Sequence, residues 1–375
     1  MSDSSLAFAP AAPSAIPVSA PAARKAIAKG SIEFKRSNRA LFFGGFSTFS
    51  LLYCIQPLFP LLSHQFHLTP AQSSWSLSVS SGLLAISLVL LSAVSDRVGR
   101  KPLMVASMFS AAILTILSAF AQDYAQLLAI RAALGIALGG MPAVAMAYLG
   151  EEIEGPSLGL SMGLYIAGSA FGGMSGRLIA SMLSDFLSWR WALGVLGVAG
   201  VLAAAEFWRS LPASKNFVPS TKGWNALPHA IKQHFSDRGL PWLFCLAFVL
   251  MGCFVSLYNY IGYRLLAAPF SLRQSTVGLL AFLYLIGIFS SVWAGRLVDR
   301  LGRRGVLWIM LSVMLSGIVL TLFDSLPLIV IGMALATFGF FASHSIASSW
   351  SAAARARRRR WLRPSICCSI TSVPA

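Results

Sequence analysis

A charged side chain inside a run of apolar residues is costly unless it meets water or a partner. Arg131 occupies such a position, within the apolar run 125–149. Two readings are open for it: coupling to a substrate or proton from an aqueous cavity, or snorkelling to the nearer interface. Arg177 in the run 158–183 is a weaker instance. Polar and aromatic groups recur in two other runs, Tyr53 and Gln56 in the first, and Tyr258 and Asn259 in the seventh. Such groups either contact a solute near the midplane of a bundle or hydrogen-bond between helices. His344 in the tenth run titrates near neutral pH when unperturbed, or else packs in a cavity wall.

The remaining charges gather into two near-copies. Ser92-Ala-Val-Ser-Asp96-Arg97-Val-Gly99-Arg100-Lys101 and Gly295-Arg-Leu-Val-Asp299-Arg300-Leu-Gly302-Arg303-Arg304 each separate two apolar runs. A repeat of this kind roughly 200 residues apart predicts halves that are structural copies. Asp96 is placed to pair with neighbouring cations and with a helix N-terminus, a contact that holds one packing of the halves and breaks in another. Enforcing topology is the alternative role for Arg97, Arg100 and Lys101.

These residues need a scaffold, and composition names it. Of 375 residues 57% are apolar and 11% charged, with a mean hydropathy of +0.73. Soluble domains carry about a quarter charged residues, so a polytopic all-α membrane protein is expected, with no nucleic-acid partner despite a formal charge of +17. The basic residues cluster in the N-terminal region, the two repeated turns, 209–238 and beyond 354. That alternation is the positive-inside pattern and puts the N-terminus in the cytoplasm. Five cysteines show no metal spacing, and neither metal nor cofactor is expected. No signal peptide is evident.

In order, residues 1–40 read as a disordered basic tail carrying Arg24, Lys25, Lys29, Lys35, Arg36 and Arg39. Six spans follow within 41–209: 41–63, 75–94, 102–121, 125–149, 158–183 and 191–208. A loop free of Lys and Arg (64–74) separates the first two, Pro102 opens the third, and Glu151, Glu152 and Glu154 close the fourth. The fifth is dense in glycine (Gly159, Gly163, Gly168, Gly172, Gly173, Gly176), which favours close helix packing. Glu206 is expected to pair with Arg209. Residues 210–240 form a cytoplasmic connection, with a short amphipathic helix near 229–235, and four spans occupy 241–350: 242–263, 276–294, 306–323 and 326–350. Symmetry of the charged turns predicts twelve spans where ten are countable. Residues 351–375 read as an aberrant tail without helical periodicity, either an out-of-frame product or a genuine basic tail.

The chain resembles the major facilitator superfamily. The motif Gly-x-x-x-Asp-Arg-x-Gly-Arg-Lys/Arg is matched by Asp96, Arg97, Gly99, Arg100 and Lys101, with Ser92 for the first glycine. The second copy matches in full through Gly295, Asp299, Arg300, Gly302, Arg303 and Arg304. Arg131 and Gly135 match a further pattern, and Gly168, Gly172 and Gly173 are similar to the glycine motif of drug/proton antiporters, without its proline. Tyr53-Cys54-Ile55-Gln56-Pro57 and Leu257-Tyr258-Asn259-Tyr260-Ile261-Gly262 resemble bacterial inner-membrane efflux permeases of the arabinose/drug type. The resemblance implies a pseudo-symmetric bundle, a latch formed by the charged turns with a partner on an eleventh span, and a monomer in the inner membrane. It implies export of a small solute by alternating access with protons as coupling ion. The alternatives are an uptake symporter and an inactive remnant. No constellation for enzyme chemistry is present.

Overall fold

The structure is a computed structural model that describes residues 26–217, 219 and 240–362. Within them the chain is helical, and only the backbone pair Ile27 and Ile153 forms a bridge. Helix is the required solution, because a lipid core offers no hydrogen-bond partner to an open backbone.

The first half comprises α1 (Ile32–Tyr53), a 3-10 turn (Gln56–Leu58), α2 (Phe59–Phe66), α3 (Pro70–Val98), α4 (Arg100–Ser118), α5 (Tyr124–Leu138), α6 (Gly140–Glu152), α7 (Gly155–Phe186) and α8 (Trp189–Ser210). The second half contains α9 (Leu240–Leu266), α10 (Gln274–Gly278), a 3-10 turn (Leu279–Phe282), α11 (Leu283–Leu320) and α12 (Leu326–Leu362). Helix α11 crosses twice, because its backbone turns at Gly302 (φ 74°). The first, fourth and eighth passes are each broken, at Cys54–Ile55, at Gly139 and at Leu279–Phe282. Ten passes are thus described, consistent with the sequence count.

Local signals set the boundaries. Thr69 caps α3 by accepting from the Gln72 amide while Gln72 Oε1 accepts from the Thr69 amide, and Pro70 stands at the first helical position. Asp123 and Ser188 cap α5 and α8 through their side chains, which accept from the Gln126 and Trp191 amides. The loop expected over 64–74 therefore shrinks to His67–Thr69.

Two terminal expectations are corrected. Helix α1 starts at Ile32, capped by Ser31, and residues 26–31 are also placed, with the Ile27 amide bonded to Glu152 O at 2.7 Å. Two charges of this segment have partners, Arg39 in Glu206 at 2.8 Å and Glu33 in Lys215 at 2.9 Å, contacts that composition alone does not reveal. Residues 1–25 lie outside the described residues, as does the helix expected near 229–235. At the other end α12 runs on to Leu362, where a non-helical tail from 351 was expected; alanine and arginine are strong helix formers. Residues 363–375 lie outside the described residues.

The interior is apolar, with Leu51, Leu58, Leu134, Leu193, Met141, Tyr148 and Phe207 buried in the first half. Phe254, Tyr258, Tyr284, Met333 and Phe340 pack in the second. Large apolar groups also cover the outside, Phe248 at 79% exposure and Trp242 at 75%, as a surface facing lipid requires.

Candidate functional site

Helix α1 stops at Tyr53 because Pro57 and Pro60 cannot continue its hydrogen-bond ladder. The break leaves Gln56 facing the second half, 4% exposed. Gln56 Nε2 donates to Asn259 Oδ1 of α9 at 2.5 Å, a hydrogen bond that joins the two halves. Gln56 Oε1 accepts from Arg177 Nε of α7. Arg177 Nη1 donates to Gly173 O at 2.7 Å, and the guanidinium lies over the Tyr53 ring at 3.9 Å and the Tyr284 ring at 4.7 Å. Next to Asn259 in sequence, the Tyr258 hydroxyl pairs with Thr337 Oγ1 at 2.9 Å. Gln56, Arg177, Tyr258 and Asn259 line a cavity of about 40 Å³, room for ordered water and little more.

Four residues read from sequence, Tyr53, Gln56, Tyr258 and Asn259, are therefore brought together. Their organiser is Arg177, whose signal in the sequence was a lone charge in a glycine-rich span. Tyr284, Thr337 and Gln274 had no distinguishing signal. The cluster lies off the expected midplane: Arg177 is about 13 Å from the C-terminal end of the long helix α7 at 1.5 Å per residue. From there to that end the halves are bonded together. Tyr263 OH pairs with Ser63 Oγ and Ser73 Oγ, each at 2.5 Å. Gln274 donates from its side-chain Nε2 to Pro57 O and accepts from Ser181 Oγ at its backbone carbonyl, and Ser275 donates to Asp185 at 2.5 Å.

Arg131 is outside this cluster and lines no part of its cavity. It is fully buried, and its guanidinium donates to three backbone carbonyls, Ser76 O at 3.1 Å, Leu51 O at 3.2 Å and Leu52 O at 2.7 Å. It neither faces an aqueous cavity nor snorkels; it takes up the carbonyls freed where α1 ends. His344 is also elsewhere, exposed on α12 with its ring 5.6 Å from Phe340.

The two charged turns sit at the opposite end of the bundle, and they differ. Gly99 (φ 100°, ψ 157°) turns α3 into α4 in a region of backbone space open to glycine. Asp96 stands on the last turn of α3, not at a helix N-terminus as expected, and pairs with Arg100 at 2.7 Å. Arg100, 8% exposed, also grips Glu151 of α6 through Nη2 at 2.6 Å and Nε at 3.1 Å, a residue first read only as a topology marker. Lys101 donates to Leu211 O. Glu206 pairs with Arg39 rather than Arg209. Arg97 and, in the second copy, Gly295, Asp299, Arg300, Gly302 and Arg303 are exposed, and among the described residues Asp299 has no ion pair.

The model of the Major Facilitator Superfamily matches residues 41–360. The chain belongs to this superfamily. It is 47% identical over 324 residues to the inner membrane transport protein YnfM of Escherichia coli (strain K12), covering 86% of this chain and 78% of that one. It is 43% identical over 324 residues to the uncharacterized MFS-type transporter YybF of Bacillus subtilis (strain 168), covering 86% and 80%. Its fold is similar to a bacterial homologue of the human lysosomal transporter Spinster in an inward-facing, occupied conformation, with a TM-score of 0.70 at 18% identity over 84% of this chain and 74% of the other. This facilitator is a multi-pass membrane transporter and not an enzyme. The eight apolar segments long enough to cross a bilayer agree with that, the 47-residue Gln274–Leu320 among them crossing twice.

Proposed function

We propose that this protein exports a small solute across the bacterial inner (plasma) membrane by alternating access, in exchange for protons, as a monomer with a cytoplasmic N-terminus. One observation carries the reading: the Gln56–Asn259 hydrogen bond spans the two halves in a small cavity that is sealed from one end by Tyr263, Gln274 and Asp185. A solute that separates these side chains must also loosen that seal, which is the coupling alternating access needs. The basic turns at the other end support a cytoplasmic placement for that end, so the seal lies on the outer side. Export is supported by the efflux-type segments that contain Gln56 and Asn259. His344 is the proton-carrying candidate, since among the described residues no carboxylate stands mid-span beside the cluster.

The test uses everted membrane vesicles with an imposed pH gradient, acidic inside. Solutes accumulated by the wild type should no longer accumulate in Gln56→Ala or Asn259→Ala. Accumulation only when the gradient is reversed would replace export by uptake symport. Undiminished transport by both variants would remove the cluster from the solute path.

A further inference from the structure

The cluster carries one formal charge, and it is positive. Arg177 is 5% exposed, and its contacts are neutral: Gln56 Oε1, Gly173 O and two ring faces. Among the described residues no carboxylate pairs with it. The acid nearest in sequence along α7, Asp185, is two turns on and accepts from Ser275 instead. The other described carboxylates stand at helix ends or beside the charged turns. Arg131, the second cation deep in the bundle, is likewise offset by carbonyls only. A buried guanidinium held by neutral acceptors is poorly compensated and attracts an anion when the cavity opens.

From this, and resting on the reading of the cluster as the solute site, we propose that the transported solute is a small organic carboxylate whose charge is received by Arg177. The faces of the guanidinium are covered by Tyr53 and Tyr284, so a ligand approaches its edge, where the planar fork matches a carboxylate. The two rings, with Tyr258 and Ile261 nearby, then flank the apolar body of the solute. Gln56 and Asn259, which bond each other in the closed cavity, become free to bond the carboxylate or a second polar group. An anionic cargo also explains how export proceeds without an acidic residue in the cavity. A potential that is negative inside drives an anion outward.

The experiment pairs acids with their amides on the full-length protein in nanodiscs: benzoate against benzamide, phenylacetate against phenylacetamide, hexanoate against hexanamide, with benzylammonium as the cation. Binding is read by thermal stabilisation and titration. At least one carboxylate should bind the wild type and its amide should not. Arg177→Gln should weaken that carboxylate by about thirtyfold or more, while Arg177→Lys, which keeps the charge, should retain part of the affinity and guards against misfolding. In proteoliposomes a potassium diffusion potential should change the carboxylate flux, with an inside-negative potential accelerating exit. Amides or benzylammonium binding as well as the acids, no acid binding at all, or acid binding unchanged in Arg177→Gln would each overturn the proposal. If Gln56→Ala and Asn259→Ala abolish binding while Arg177→Gln does not, the anion inference fails and the solute site stands. If none of the three alters binding, the site itself fails.

Discussion

Arg131 and Arg177 are both buried in membrane-spanning helices, and their neighbours give them different work. Arg131 ends on Leu51, Leu52 and Ser76 carbonyls and holds the broken end of α1 against α3 and α5. Its removal takes the donor from buried Leu52 O and one donor each from Leu51 O and Ser76 O, which keep Cys54 Sγ and Ser80 Oγ, and an acceptor left unsatisfied costs roughly 1–3 kcal/mol. Arg131→Leu is therefore expected to lower the melting temperature and yield in detergent sharply, while any protein recovered keeps its solute selectivity. A selective loss of binding at unchanged stability would contradict that. Arg177 has aromatic faces and a cavity instead, so its substitution acts on ligand affinity. If proton exchange runs through His344 as proposed, His344→Gln should flatten the pH dependence of vesicle transport, in the range where imidazole titrates. The contrast between the arginines was not readable from spacing, since both are lone cations in apolar runs. What separates them is which atoms the folded neighbours present.

Helix α7 shows how an element positions the site. Gly168, Gly172 and Gly176 recur every fourth residue and face the backbone of α1, where an added Cβ would lie 2.3 Å from Phe42 O, 2.0 Å from Phe46 O and 2.5 Å from Ser50 O. This close seam brings Arg177 to Tyr53 and Gln56 at the end of α1. Gly172→Ala should force the helices apart and cost about 1–3 kcal/mol. Gly159→Ala on the same helix, with nothing within 4 Å, should be neutral or slightly stabilising. Comparing the two melting temperatures checks the seam, and equal shifts would dismiss it. The glycine density made close packing legible in the sequence. Which glycines meet the α1 backbone depended on the rotation of α7, since Gly173 meets the side chains of Arg177, Tyr53 and Phe49 instead.

At the scale of the molecule, the halves are bonded at one end by few groups, and the balance between conformers rests on them. Tyr263→Phe removes two hydrogen bonds between the halves, each worth about 0.5–1.5 kcal/mol net. The population should shift toward the opposite-facing conformer by roughly tenfold or more, measured as increased labelling of a cysteine introduced beside Gln274. At the charged-turn end, Asp96→Asn takes one of two carboxylates from Arg100 and leaves Glu151 in place. Transport is expected to stop or fall steeply while insertion and folding persist. Unchanged transport would reduce the motif to a topology signal.

From the sequence alone came the helical membrane class, the number of passes among the described residues, the pairing of the charged turns and four residues of the cluster. These follow from quantities local to the chain: run length against bilayer thickness, the distribution of charge, and repetition. Only the tertiary structure decided that Arg177 rather than Arg131 lies at the cluster, that Glu151 shares Arg100 with Asp96, and that the site lies nearer the sealed end than the middle. Those outcomes depend on helix rotation and on the breaks at Tyr53 and Gly139, which set where side chains distant in sequence converge. Apolar composition constrains neither, because lipid accepts a helix in any rotation until its neighbours fix one.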